Sequence, residues 1–361
     1  MEQHKNQAKP VTILTGFLGA GKTTFLNALI KAFPEKRPII VENEFGEENI
    51  DSELVIGAGD KVFSISDGCV CCSLNTELFE LLRQLWANKE IFDELIIEAT
   101  GIADPGFIAM PFVENPNMEQ FYKLDRVICL VDAKFIENEL KNTEEARKQI
   151  AFSDILLITK TDEVAAEKIE EIKHLLKDIN PWASVLSGNN REGYPIAEIM
   201  QLTREKIDNA VFEETHQQYA AQEEKEHQQV HEKPHHEHGH KHHEHEHEHH
   251  HEHGESCNHH SHHHDIESFS FKYTQPFDLE KLQDMLIDYL NAHENQIYRV
   301  KGFVDVAHLP NRLVVQLAGT ILTVTDGQGW KAGEQRQSRL VFIGKGLKEE
   351  TIDRLLQACS E

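Results

Sequence analysis

This sequence has little positive charge for its negative charge, and it has no long apolar run. It carries 36 lysine and arginine residues against 62 aspartate and glutamate residues, a formal net charge of −26. Nucleic acids and anionic membrane surfaces repel such a chain, so we expect neither of them as a partner. No apolar run approaches the roughly 18 residues of a membrane span, and we find no secretory signal. We therefore expect a cytoplasmic protein.

Cysteine is also scarce, with six in 361 residues, yet three of the six fall within four positions, at Cys69, Cys71 and Cys72. A disulfide is an unfavoured explanation of this cluster, because disulfides are rare in a reducing cytosol. Packing as a small apolar side chain explains Cys129 and Cys359, but it explains three clustered cysteines poorly. Thiolates favour soft or borderline ions such as Zn²⁺, Cu⁺ or Co²⁺. The cluster therefore predicts a metal site, built either from three thiolates or from two thiolates and a carboxylate.

A glycine-rich loop follows the β-type apolar run 11–15 and leads into a helical apolar pattern. Residues 16–24 read GFLGAGKTT, which completes the G-x-x-x-x-G-K-[ST] signature in its strand, loop and helix context. The glycines let successive N–H groups point at phosphate oxygens, and the helix N-terminus adds partial positive charge. We expect Lys22 to reach the β and γ phosphates and Thr23 to bind Mg²⁺. The residues predicted to bind nucleotide here are Gly16, Gly19, Ala20, Gly21, Lys22, Thr23 and Thr24.

Two further segments extend this site toward a guanine nucleotide. The apolar run 95–97 ends at Glu98, which we expect to hold Mg²⁺ through a water or to orient the attacking water. We expect Gly101 to offer a backbone N–H to the γ-phosphate. After the apolar run 155–158, Asp162 is expected to face the guanine N1 and N2 hydrogens, with Lys160 packed on the purine. The predicted catalytic residues are Lys22, Thr23 and Glu98.

Thr159 stands where asparagine is usual in the Asn-Lys-x-Asp tetrapeptide of guanine-nucleotide proteins. We expect this substitution to remove an amide that ties the base loop to the phosphate loop, and so to weaken the preference for GTP over ATP. A mismatched base would still leave Asp162 unpaired, at a cost of about 1–3 kcal/mol. We expect residues 186–188 to close over the base.

Together, segments 16–24, 42–47, 69–72, 98–101 and 159–162 resemble the CobW-like metallochaperone GTPases, also called the zinc-regulated GTPase metalloprotein activator family. The similarity covers nearly all of the chain except about 213–265, and residues 298–303 and 340–344 look like that family's second domain. The resemblance implies GTP hydrolysis coupled to transfer of a metal, most often zinc, to a client protein. In the acidic loop that precedes the cysteine run, Glu42 and Glu47 are the candidate carboxylate ligands by sequence and by resemblance. The chain departs from the family at Ala99, where serine is commoner, and at Thr159.

Histidine is concentrated in one segment, since 20 of the 24 histidines lie within 216–264, interleaved with glutamate. This segment has too few large apolar residues to offset its chain entropy, so we expect a disordered linker. Neutral imidazoles coordinate metals, and the irregular spacing predicts many weak, exchangeable Zn²⁺ or Ni²⁺ sites. A solvated linker without metal is the alternative. The predicted ligands include His235, His236, His238, His240, His242, His243, His245, His247 and His249.

A chain of 361 residues predicts two domains, and the histidine-rich segment divides them. Residues 9–212, after a tail at 1–8, alternate apolar strands with amphipathic helices. This pattern predicts an α/β P-loop fold, a mainly parallel sheet with helices on both faces. After the linker 213–265, residues 266–361 predict a smaller α+β domain that contacts the client or controls the linker. Its expected elements are a strand at 268–273, a helix at 278–290, several strands within 297–343 and a helix from 348.

Three functions fit these features. The first is a GTP-dependent zinc metallochaperone, with the cysteine run inside the loops that sense the γ-phosphate. The second is a GTPase that inserts nickel or cobalt, including for cobalamin synthesis, and the third is a zinc or nickel store with a regulatory nucleotide site. The expected ligands are GTP, Mg²⁺ and Zn²⁺, with Ni²⁺ or Co²⁺ as alternatives. The expected protein partner is a client metalloprotein, and a homodimer is an allowed assembly.

Overall fold

Seven apolar runs form one parallel β-sheet in the computed structural model of the chain, which describes residues 8–44, 62–66, 73–114, 118–208, 266–293, 295–318, 320–330 and 334–361. The strands are β1 (Lys9–Gly16), β2 (Pro38–Glu44), β3 (Val62–Ser66), β4 (Glu94–Ala99), β5 (Tyr122–Asp132), β6 (Ile155–Thr159) and β7 (Ser184–Ser187). Their order is β3-β2-β4-β1-β5-β6-β7, and every neighbouring pair is parallel. Strands β4 and β6 are buried along their whole length, as expected for a parallel sheet that is covered on both faces.

Helices cover both faces of this sheet, which confirms the predicted α/β fold. Alternate residues of β1 divide between the faces: Ile13 belongs to a core with Leu82 and Phe112, and Leu14 belongs to another with Phe25. Among the described residues, no helix is long and apolar enough to cross a membrane. The helices are α1 (Lys22–Ala32), α2 (Ser73–Ala87), α3 (Pro105–Glu114), α4 (Ile136–Asn142), α5 (Glu144–Phe152), α6 (Ala166–Ile179) and α7 (Ile196–Gln201).

In the described residues, the C-terminal domain is a five-stranded antiparallel sheet with two helices, as the α+β prediction requires. Its strands are β8 (Ile266–Tyr273), β9 (Ile297–Val304), β10 (Asn311–Ala318), β11 (Ile321–Gly329) and β12 (Ser338–Lys345), and its helices are α8 (Leu279–Ala292) and α9 (Glu349–Gln357). The strand order is β11-β10-β9-β12-β8. Leu286 of α8 and Leu356 of α9 share one core with Val300 and Phe342 of the sheet.

The charged and aromatic side chains of β9 pack on the first domain. Asp154, between α5 and β6, is fully buried and pairs with Arg299 at 3.2 Å and with Lys301 at 3.6 Å. Trp182 lies beside Phe303, with ring centroids 6.5 Å apart. Because side chains alternate along a strand, Arg299, Lys301 and Phe303 share one face of β9. The two domains form one compact unit.

Candidate nucleotide and metal site

The loop between β1 and α1 has the backbone of an anion-binding loop. Gly19 and Gly21 have φ angles of 78° and 95°, and a Cβ on either residue would meet nothing within 4 Å. Gly21 precedes α1 without a side-chain hydrogen bond, and the first turn of α1 carries no acidic residue. The start of the helix therefore has open space beside these glycines and no negative side chain, which suits the binding of a phosphate group. A Cβ on Gly16 would lie 2.5 Å from the Leu130 carbonyl oxygen, so glycine is required there for close packing.

Lys22 contacts the backbone of this loop. Its Nζ donates to the carbonyl oxygens of Gly16 at 2.9 Å and Phe17 at 3.3 Å. A phosphate oxygen is a stronger acceptor for an ammonium group than a neutral carbonyl is. The Lys22 ammonium group is thus already held at the loop where the phosphates are expected. Ala20 is buried under the loop, and Thr24 is exposed.

Thr23 and Glu98 meet beside the phosphate loop. Thr23 Oγ1 donates to Glu98 Oε1 at 3.1 Å, which joins the first turn of α1 to the C-terminal end of β4. A hydroxyl and a carboxylate are hard oxygen ligands that suit Mg²⁺, and this ion commonly takes further oxygens from nucleotide phosphates and water. The pair therefore fits a Mg²⁺ site at this position.

Glu42 lies beside Glu98 on the neighbouring strand. The two residues are in register on β2 and β4, and both are buried. Paired residues of adjacent strands point to the same face of a sheet. Ile40 and Ile96, two residues earlier on each strand, share a core with Phe25 of α1, so both carboxylates belong to the α1 face. The structure thus brings one predicted zinc ligand next to the residue predicted for Mg²⁺.

Lys160 and Asp162 lie where β6 ends and a 3₁₀ turn, Thr161–Glu163, begins. Lys160 has a left-handed backbone with φ of 53°, and its Nζ lies 2.5 Å from Asp132 Oδ2. Asp162 pairs with Arg191 Nε at 3.1 Å, and the Arg191 side chain is 82% exposed. Arg191 therefore contacts the carboxylate predicted to bind guanine. Its exposure leaves it room to move aside.

Thr159 keeps a link to the phosphate loop, so the expectation that this link is lost is wrong. Its Oγ1 lies 2.8 Å from the Ala20 carbonyl oxygen and 3.2 Å from that of Val131. A hydroxyl has one proton to donate, and the shorter distance favours Ala20. The N–H of Gly188 donates to the Ile158 carbonyl at 2.9 Å, which brings the segment 186–188 alongside the same strand.

Two acidic residues near the lysines were not predicted from the sequence. Asp132 ends β5, and Glu139 is buried in α4. Burial raises the pKa of Glu139 to about 7, Asp132 adds to this rise, and Lys160 and Lys22 oppose it. Asp132 could have been predicted from the sequence, because it is an acidic residue at the end of an apolar strand, which is the same pattern that identified Glu98. Glu139 could not, since its neighbours depend on how α4 packs.

Gly101 brings the loop after β4 against the phosphate loop. A Cβ on Gly101 would lie 2.7 Å from the backbone nitrogen and from the side chain of Leu18. Real Cβ atoms do not approach a backbone this closely, so only glycine fits without movement. The loop predicted to sense the γ-phosphate and the loop predicted to bind it are therefore in direct contact.

The predicted cysteine site and the histidine-rich segment lie outside the described residues. Among the residues that the structure describes, no group of three or more His, Cys, Asp or Glu side chains could hold a metal ion. Cys129 and Cys359 are buried and form no disulfide, in agreement with a packing role. The site residues outside the description are Cys69, Cys71, Cys72, Glu47, His235, His236, His238, His240, His242, His243, His245, His247 and His249.

Both domains match known family models. Residues 10–187 match the CobW/HypB/UreG nucleotide-binding domain, and residues 266–360 match the cobalamin synthesis protein cobW C-terminal domain. The segment between the two matched ranges, which contains the histidine-rich run, matches neither model.

Curated relatives and a solved structure match almost the whole chain. The zinc chaperone YjiA of Escherichia coli is 30% identical over 346 residues, which cover 95% of this chain and 96% of that protein. The zinc chaperone CobW of Pseudomonas aeruginosa is 29% identical, with 96% and 90% covered. The crystal structure of Zn(II)-bound YjiA GTPase from E. coli shares the fold, with a TM-score of 0.63 and 24% identity over 98% of this chain and 100% of that one. On its sequence and on both of its domains, the chain belongs to the CobW family.

Proposed function

We propose that this chain is a GTP-hydrolysing metallochaperone that binds zinc and delivers it to a client metalloprotein, with a zinc affinity set by the bound nucleotide. The observation that carries the proposal is the register pair of Glu42 and Glu98 on β2 and β4. Glu42 is a predicted zinc ligand, and Glu98 a predicted ligand on the nucleotide side. Adjacent strands lie about 4.8 Å apart, so a change at one carboxylate acts directly on the other.

The nucleotide is held along its whole length by residues of the first domain. The backbone of 16–24 and Lys22 bind the phosphates, and Asp162 accepts the guanine N–H groups. Thr23 holds Mg²⁺, which when bound neutralises charge on the phosphate oxygens. Glu98 acts either on Mg²⁺ through a water or on the attacking water, and the Gly101 N–H donates to the γ-phosphate. The Thr23 to Glu98 hydrogen bond and the contact of Gly101 with Leu18 support these assignments.

Zinc is the cargo of this reaction. Cys69, Cys71 and Cys72 offer thiolates, and Glu42 and Glu47 offer carboxylates, from which a tetrahedral ion takes its ligands. Zinc binding requires deprotonated thiols that are not oxidised to disulfides, so a cytoplasmic location belongs to the proposal. Two relatives that this chain matches over at least 90% of their length are named zinc chaperones, which supports zinc over nickel or cobalt.

GTP hydrolysis acts as the switch between holding and releasing zinc. Segments that contact the γ-phosphate become ordered with it and relax after hydrolysis. The segments 42–47 and 69–72 are the predicted zinc loops, and 42–47 begins at the neighbour of Glu98. Coupling between nucleotide and zinc is necessarily reciprocal. A nearly complete change from held to released zinc needs about 5.5 kcal/mol of difference between the two states.

Zinc titration of two nucleotide forms tests the proposal. Zn²⁺ is titrated, against a competing chelator, into the chain bound to GDP and to a non-hydrolysable GTP analogue. We expect the two dissociation constants to differ by at least about tenfold. Cys71→Ser should abolish this difference, whereas Cys359→Ala, which removes a buried thiol of the second domain, should preserve it. Equal zinc affinities in the two wild-type forms would contradict the coupling.

A further inference from the structure

Gln149 is a buried amide that has no part in the site described so far. It lies in α5 and is 0% exposed. Its Nε2 donates to the carbonyl oxygens of Gly101 and Ala103, each at 3.1 Å. Both N–H groups of the amide are therefore used on the loop that follows β4. Through this one side chain, α5 holds that loop.

The loop that Gln149 holds is the one that touches the phosphate loop. Gly101 follows Glu98 by three residues and leaves no room for a Cβ beside Leu18. A glycine places few limits on its own backbone, so its conformation has to be fixed by its neighbours. Two hydrogen bonds to the carbonyls of Gly101 and Ala103 supply that restraint on the C-terminal side of Gly101.

Packing alone does not account for an amide at this position. The Oε1 atom of Gln149 is buried and has no hydrogen-bond partner among the described residues. A buried polar atom without a partner lowers stability, and methionine, of similar length, would fill the same space without one. The opposite amide orientation would place Oε1 against two carbonyl oxygens. The two loop contacts are therefore what the amide provides.

The helix that carries Gln149 is anchored at its C-terminal end. Asn180 Nδ2 donates to the carbonyl oxygens of Ile150 at 2.9 Å and Ala151 at 3.0 Å. Arg299, from β9 of the second domain, contacts the same Ala151 carbonyl at 3.4 Å. These contacts give α5 a fixed position against both domains. Gln149 thus holds the loop from a rigid support.

We infer that Gln149 is a positioning residue for GTP hydrolysis, an inference that rests on the proposed GTPase activity. Gln149 does not touch the nucleotide. It keeps the Gly101 loop where the Gly101 N–H meets the γ-phosphate. A misplacement of about 1 Å at a reacting group costs about 100-fold in rate. Its loss should therefore lower turnover more than nucleotide affinity, because the phosphate loop and the base loop keep their own contacts.

Gln149→Met tests this inference in the full chain. Steady-state GTP hydrolysis should show kcat lowered about 10- to 100-fold, with the Kd for a GTP analogue changed less than about threefold. The thermal midpoint should fall only slightly, because removal of the unpartnered Oε1 offsets part of the cost of leaving two carbonyl oxygens without their donor. Amide hydrogen exchange of residues 100–104 should become faster than in the wild type, since the loop loses its restraint.

Gln337→Met is the matched control, because Gln337 is a buried glutamine between β11 and β12 of the second domain, outside α5 and the Gly101 loop. It should leave the kcat of the folded protein unchanged. A Gln149→Met protein with wild-type kcat or unchanged exchange would overturn the inference, as would an equal loss of kcat in both variants. A wild-type chain without GTP turnover would overturn the proposed function as well, which separates the two failures.

Discussion

At the residue scale, Glu139 is a carboxyl group whose protonation should change the stability of the nucleotide-free chain. Burial and the nearby Asp132 raise its pKa from 4.5 to about 7, against Lys160 and Lys22. The folded protein therefore binds this proton more tightly than the unfolded chain does. The stabilising contribution is complete below about pH 4.5 and is lost as the pH rises through about 7.

Glu139→Gln should remove this pH dependence, because an amide stays neutral throughout. We expect the free energy of unfolding to rise by about 3 kcal/mol at pH 8 and by much less at pH 5. Urea unfolding of wild type and variant at the two pH values measures both changes. An equal change at pH 5 and pH 8 would contradict a raised pKa and would indicate an effect of packing.

Single residues also show what can be predicted from a sequence and what cannot. The placement of Lys22 at the phosphate loop follows from local spacing, because glycines and a helix start within nine residues leave few alternatives. The link from Thr159 to Ala20 spans 139 positions and depends on β6 lying beside β5. From the sequence, a threonine hydroxyl in place of the asparagine amide therefore predicts that the link to the phosphate loop is lost. In the folded chain the shorter side chain still reaches its carbonyl.

At the element scale, the turn from α5 to β6 carries the charge that joins the domains. Asp154 is fully buried, contacts Arg204 at 3.3 Å, Arg299 at 3.2 Å and Lys301 at 3.6 Å, and accepts the Val127 N–H at 2.9 Å. Burial opposes its ionisation, but the three cations hold the pKa of this carboxyl below its usual range. One carboxylate thus balances charges that come from both domains.

Asp154→Asn should destabilise the whole unit, because it leaves these buried cations without their carboxylate. We expect the free energy of unfolding to fall by about 3–5 kcal/mol at neutral pH, as measured by urea unfolding. Asp93→Asn is the matched control, since Asp93 pairs with Arg37 at 2.6 Å on an exposed surface and should matter far less. Similar losses in both variants would show that burial of Asp154 adds nothing.

Strand β9 marks the limit of prediction at this scale. The run 297–304 reads as a strand, and its alternation separates Arg299 and Lys301 from Val300. The sequence alone predicts that the charged face of β9 lies in solvent. In the structure this face is buried against Asp154. Asp154 lies 145 positions earlier in the chain and contacts Arg299 only because the two domains pack together, so the sequence does not show this pairing. The register of Glu42 with Glu98 likewise cannot be predicted from the sequence, because β2 and β4 become neighbours only through a crossover connection.

At the scale of the whole chain, two predicted zinc-binding regions differ in geometry and in chemistry. The cysteine run at 69–72 is predicted to lie beside segments of the nucleotide site and offers thiolates, which favour one tight site. The segment 216–264 offers 20 imidazoles without a fixed spacing, which favours many weak sites. The first should respond to GTP, whereas the second should act as a local collector of zinc whatever nucleotide is bound.

Replacing the 20 histidines of 216–264 with glutamine should separate these two roles, because it keeps the length and the charged residues of the segment. Equilibrium dialysis should show most of the weak zinc capacity lost, while GTP turnover and one nucleotide-dependent tight site remain. Cys71→Ser should give the opposite result, with the tight site lost and the weak capacity kept. If replacing these 20 histidines also abolished the tight site, the cargo site would be placed in the linker, because only imidazoles of 216–264 were removed.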